Sequence, residues 1–159
     1  MNSNKNQKGF SLVELLVVVI IIAIVAAIAI PNLLASRRAA NEASAVSSLR
    51  TIHSANSTYQ ATLGGNINYG TLSALGTAKL IDPVLGGADA TSKSGYNFTA
   101  TASTPQVYCA TAVPSTVGTT GDRAFAVSQP GVIYQTLDGA IGCTASTGVV
   151  TGNSVTALQ

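Results

Sequence analysis

The sequence predicts an α+β protein: one long N-terminal helix whose second half packs on a C-terminal antiparallel sheet of about four strands. Three patterns predict it. An uninterrupted apolar run covers Phe10 to Ile30, a three-and-four spacing of apolar residues continues to Leu63, and alternating segments follow from Tyr96 onward.

The run FSLVELLVVVIIIAIVAAIAI is broken only by Ser11 and Glu14. At about 20 residues it is long enough to cross a ~30 Å hydrocarbon layer. It is apolar on every side, so it calls for lipid or an equally apolar protein surrounding. In lipid a helix is the single-segment solution, because every backbone N–H must find its partner locally. A cleaved secretory signal is the weaker reading despite the Ala27/Ala29 spacing, since the run exceeds the usual 7–15 residues and leads into Pro31. A plain single-pass anchor is the stronger alternative. Lys5 and Lys8 precede the run and Arg37 and Arg38 follow it, so charge leans only slightly towards a cytoplasmic N-terminus. Pro31 removes one i→i−4 hydrogen bond and crowds the Ala27 carbonyl, which predicts a kink.

Glu14 is costly inside such a helix, by a few kcal/mol on insertion scales, and calls for a partner or a function. It either snorkels to the near interface or pairs with a cation of another chain.

Beyond Pro31, Ala35, Ala39, Ala43, Val46, Leu49, Ile52, Ala55, Tyr59 and Leu63 form one apolar stripe. Arg38 and Glu42, one turn apart, are expected to pair along its flank, in the weaker order and worth a few tenths of a kcal/mol. Gly64-Gly65 ends the helix. Residues 64–95 read as a Gly/Ser/Thr-rich connection with a short helical or turn segment around Leu72 to Leu80. Strand candidates are Tyr96–Ala102, Val107–Val113, Ala124–Gln129 and Val132–Leu137. The pairs Tyr96/Phe98, Val107/Cys109 and Phe125/Val127 carry the two-residue alternation, and Gln129-Pro130-Gly131 joins the last two strands as a hairpin.

Composition excludes several classes. Charged residues are 9% of the chain and the net charge is +2, with no cluster of cations to neutralise phosphates, so nucleic acid is not a predicted partner. His53, the single histidine, has no acid or thiol near it in sequence and reads as a packing or surface residue. No nucleophile elbow, Walker loop or metal-ligand cluster occurs, so neither enzymatic activity nor a cofactor is expected. Cys109 and Cys143 form an even pair beyond a membrane segment, which favours one disulfide in an oxidising compartment over two buried free thiols. Asp82, Asp89, Asp122 and Asp138 are scattered singly and do not supply the six to eight oxygens of a calcium site.

The residues Lys8-Gly9-Phe10-Ser11-Leu12-Val13-Glu14, followed by the apolar run and Pro31, resemble the type IV pilin and pseudopilin family. The resemblance covers about the first third of the chain. It implies that residues 1–9 are a leader removed after Gly9 by a membrane prepilin peptidase. It implies further that Phe10 becomes a methylated amino terminus, and that Glu14 is the assembly carboxylate, met by the amine of a neighbouring subunit. Residues 10–30 would then be the membrane and filament-core helix, 31–63 its amphipathic continuation, 64–95 a variable loop, and 96–159 the sheet-bearing head. The implied partners are copies of the chain, the peptidase, the inner-membrane assembly platform, and the membrane before assembly. The implied end state is an extracellular filament of a bacterium.

Three functions are open at this point. They are a pilin of a surface filament for adhesion, motility or uptake, a pseudopilin of a type II secretion system, and a monomeric membrane protein with a ligand-binding head.

Overall fold

The computed structural model describes residues 9–87, 90–103, 106–144 and 146–158. Residues 1–8 of the expected leader, with Lys5 and Lys8, and the loop carboxylate Asp89 lie outside the described residues. The chain divides into two compact units, Met1–Ser36 and Arg37–Gln159, described here in turn.

Helix α1 (Leu12–Thr62) contributes to both units. It begins two residues later than Phe10 because Ser11 takes the capping position, and ends one residue before Leu63 at the Gly64-Gly65 stop. There Gly65 adopts φ +62°, a left-handed conformation that glycine enters without a Cβ penalty. In the first unit no side chain from Phe10 to Leu34 is buried, and only Ala26 is even half-covered. The helix continues without interruption through Pro31.

In the second unit α1 buries Glu42, Ala45, Ser48, Leu49, Ile52, Ala55 and Asn56. The expected stripe is therefore corrected. Leu49, Ile52 and Ala55 are buried and Val46 and Tyr59 half-buried, but Ala35, Ala39, Ala43 and Leu63 are exposed. Alanine is a poor marker of the inner face because it buries so little area on either side. The true face carries polar residues, of which Glu42 meets Arg123 and Asn56 Oδ1 accepts from the Gly70 N–H (2.9 Å), a pattern that apolar periodicity does not register. A short helix α2 (Leu72–Thr77), capped by the Thr71 hydroxyl, adds Leu72 and Leu75 to the core.

The main sheet has six antiparallel strands in the order β1-β2-β3-β4-β5-β8. These are β1 (Ala90–Lys93), β2 (Tyr96–Ser103), β3 (Val107–Pro114), β4 (Ala124–Ser128), β5 (Ile133–Thr136) and β8 (Thr156–Ala157). The α+β class and the four anticipated strands are present, as β2 to β5, with β1 and β8 added at the edges. Two further short strands, β6 (Gly142–Thr144) and β7 (Val149–Thr151), form a separate hairpin.

Register sets the two faces of the sheet. Phe98 lies opposite Ala112, Ala100 opposite Ala110, Ala110 opposite Val127 and Ala112 opposite Phe125. These residues share the core with Leu49, Ile52, Leu72 and Leu75. In β3 the core-facing series is thus Tyr108/Ala110/Ala112 rather than Val107/Cys109. A one-residue change of phase exchanges the faces of a strand, and β3 is apolar on both sides, which hid its phase. Cys109 points the other way and is bonded to Cys143 of β6, with the two Cα atoms 5.9 Å apart. That bond fixes the β6–β7 hairpin over β3 and β4, and all five residues of β4 are buried. At the β4–β5 turn the Gly131 N–H donates to the Ser128 carbonyl (2.9 Å) with φ +77°. A Cβ on Gly131 would lie 2.8 Å from Nε2 of His53, so the turn also needs glycine for space.

Candidate assembly site

Ser11 and Glu14 form a reciprocal cap at the start of α1. The Ser11 hydroxyl accepts from the Val13 N–H (3.3 Å), while the Ser11 N–H donates to Glu14 Oε2 (3.0 Å). This is a capping box, which occupies backbone donors that have no partner inside the helix. The carboxylate thus lies beside the backbone of the segment that would be cut, three residues from Ser11 and four from Phe10. Phe10 itself is 87% exposed. Sequence reasoning singled out Glu14 for its cost in lipid but missed Ser11. The signal was available, since Ser-x-x-Glu ahead of an apolar run is the written form of this cap.

From Leu12 onward α1 is long and apolar enough to cross a membrane. Pro31 offers no N–H to the Ala27 carbonyl, and the next residue reinforces the turn, with Asn32 Nδ2 donating to the Ile28 carbonyl (3.1 Å).

The second unit holds the remaining candidates. The expected Arg38–Glu42 pair does not form. Arg38 Nη1 donates to Asp122 (3.1 Å) and to the Gly118 carbonyl (3.3 Å). Glu42 instead receives the Arg123 guanidinium (2.6 and 2.8 Å) and the N–H groups of Asp122 (3.0 Å) and Arg123 (3.3 Å). An exposed helical pair is worth a few tenths of a kcal/mol, whereas charge-assisted bonds to partly buried donors are worth about 1.5–3 kcal/mol each, so the long-range set wins. Burial alone would raise the Glu42 carboxyl, but the Asp122 N–H and the Arg123 side chain outweigh it and hold it below the usual glutamate value. Nothing in local sequence pointed to Arg123.

His53 is a packing residue whose Nδ1 meets the Tyr108 hydroxyl (2.5 Å). Desolvation raises Tyr108 far above the ordinary tyrosine value, so the ring stays neutral. Asp82 pairs with Lys93 (2.9 Å), and Asp138 accepts from the Ala140 N–H and from Asn153. Among the described residues, the structure joins Ser11 to Glu14 and Cys109 to Cys143.

The family model described as the prokaryotic N-terminal methylation motif matches residues 4–30. Over 38 residues the chain is 53% identical to the type IV wide pilus major component PilA4 of Thermus thermophilus, a stretch covering 24% of this chain and 29% of that protein. The similarity therefore spans less than a third of the curated relative. No solved structure matches the chain.

Proposed function

We propose that the chain is a member of the type IV pilin family, a non-enzymatic structural subunit that polymerises with copies of itself into a bacterial surface filament. The carrying observation is that no side chain from Phe10 to Leu34 is buried, while one carboxylate, Glu14, lies at the N-terminal end of this apolar stretch. Such a surface is stable in a bilayer or bundled with identical helices, and exchanging one for the other needs little desolvation. Prepilin peptidase would remove residues 1–9 after Gly9. Phe10 would become the methylated terminus, and the apolar helix would hold the precursor in the inner membrane until an assembly platform extracts it. The new amine would then match Glu14 of a neighbour. Pro31 would ease bending where the helix leaves its apolar surroundings. Adhesion, motility or uptake would be the filament's task. The Cys109–Cys143 bond fits a head that works in an oxidising compartment beyond the membrane.

Glu14→Ala tests the proposal. The variant should insert and be processed normally, with a methylated Phe10 by mass spectrometry, while sheared filament yield falls at least tenfold. Normal filament yield from that variant would overturn the role of Glu14. An intact Met1 on the native protein would overturn the family processing.

A further inference from the structure

Glu42, Arg50 and Arg123 meet around a pocket on the flank of α1 in the Arg37–Gln159 unit. It encloses about 350 Å³, within the range of about 300–1,000 Å³ of small-molecule sites. On the helix, Ala39, Ala43, Val46 and Arg50 follow one another at spacings of three and four and so share one face. The two alanines leave the space, and Arg50 stands at the C-terminal end of the row. Across from the helix lie Phe125 of β4 and Leu158, whose N–H donates to the Ile133 carbonyl (2.7 Å) at the end of the sheet. Val46 and Leu158 are half-buried against the core that Phe125 belongs to, so the floor is apolar.

The charges on the lining do not balance. Arg50 is exposed and has no ion pair among the described residues. Arg123 is 39% exposed and commits three of its five guanidinium N–H groups, with Nε and Nη2 donating to Glu42 Oε2 and Nη1 to Gln135 Oε1. Two N–H groups remain for another acceptor. Its Cζ lies 5.9 Å from the centre of the Phe125 ring, which places this charge over the apolar floor. Glu42 is the one carboxylate on the lining, and both its oxygens are taken, Oε1 by two backbone N–H groups and Oε2 by Arg123. It neutralises Arg123 and leaves the charge of Arg50 uncompensated.

These features select a ligand. One net positive charge matches a monoanion rather than a doubly charged phosphate monoester. An apolar floor calls for an apolar body, and a pocket of this volume holds one short chain but not the two acyl tails of a membrane lipid. We propose that the pocket binds a small carboxylate with an apolar tail, such as a medium-chain fatty acid. Arg50 and the uncommitted N–H groups of Arg123 hold its carboxylate, and Val46, Phe125 and Leu158 receive its tail. The site belongs to the Arg37–Gln159 unit alone and does not depend on polymerisation.

Photolabelling tests it on the full-length chain in a non-ionic detergent at neutral pH. The probe is decanoic acid with a diazirine at its far end, and labelled peptides are located by mass spectrometry. Label should concentrate around Val46 and on β4. Arg50→Gln, which breaks no ion pair in the fold, should cut that label about tenfold, as for a lost charge-assisted hydrogen bond. Ala43→Phe, which fills the space and leaves the charges in place, should do the same. Arg37→Gln removes an exposed cation outside the pocket and should change nothing. The apolar run from Leu12, bathed in detergent, takes up probe in every sample and serves as the internal reference. Undiminished pocket label in Arg50→Gln or Ala43→Phe would overturn the site, as would an equal loss in Arg37→Gln or equal labelling by the methyl ester of the probe. Displacement by phosphatidylglycerol but not by unlabelled decanoate would overturn the ligand class in favour of a membrane lipid.

Discussion

Glu42, 7% exposed, is the most heavily bonded carboxylate among the described residues and the one whose partners are hardest to replace. Glu42→Ala strands the Arg123 guanidinium and two backbone N–H groups. Because Arg123 is partly solvated, the expected cost is about 2–3 kcal/mol rather than the full penalty of a buried broken pair. Calorimetry should show the head melting roughly 10 °C lower. Glu42→Gln, which keeps an acceptor, should lose about half as much. The lowered Glu42 value also sets a pH dependence. The unfolded carboxyl titrates near 4.5 and the folded one below it, so its stabilisation is complete above that pH. Melting temperature should fall as pH drops below about 4.5, and Glu42→Gln should flatten the slope. An equal acid slope in both proteins would assign it to other groups. At this scale, legibility followed cost. Glu14 was conspicuous because a charge in an apolar run is expensive. The true partners of Arg38 and Glu42 were invisible because they lie about 80 residues away in sequence.

Among the elements, the β6–β7 hairpin depends most on a single bond. It has two three-residue strands, and such a hairpin is not stable by itself. Reducing Cys109–Cys143, which are separated by 34 residues, should destabilise the head by about 3–4 kcal/mol. Hydrogen exchange should then speed up first in β6 and β7 and next on the outer face of β3 and β4. Unchanged protection after reduction would show that packing alone holds the hairpin. Strands β2 to β5 could be read from the sequence because they have four or more residues and clear alternation or turn signals. β1, β6, β7 and β8 could not, being two to four residues long and built largely of Thr, Ser, Gly and Ala with no periodicity. They exist because a sheet and a disulfide are already there to receive them.

On the scale of the molecule, the two units divide the work. The Arg37–Gln159 unit holds every buried apolar residue among those described, whereas the first unit exposes an apolar helix. A fragment of residues 37–159 should therefore fold, keep its disulfide, and stay monomeric in water at micromolar concentration. Circular dichroism and sedimentation would check this. A fragment that fails to fold would show that the head needs the apolar helix for more than attachment. The sequence set a boundary at Pro31, where the apolar run stops, whereas the two units divide after Ser36. The placement of the head on the helix was less legible, because the inner face of α1 mixes Glu42, Ser48 and Asn56 with its apolar residues.

The margins of the six-stranded sheet carry a consequence for life in a crowd. Its outermost members, β1 and β8, have only four and two residues, and Lys93 ends the first of them. Neither presents a long row of free backbone groups on which a foreign chain might zip. Were copies packed side by side as proposed, short edges of this kind would disfavour their merging into amyloid-like ribbons.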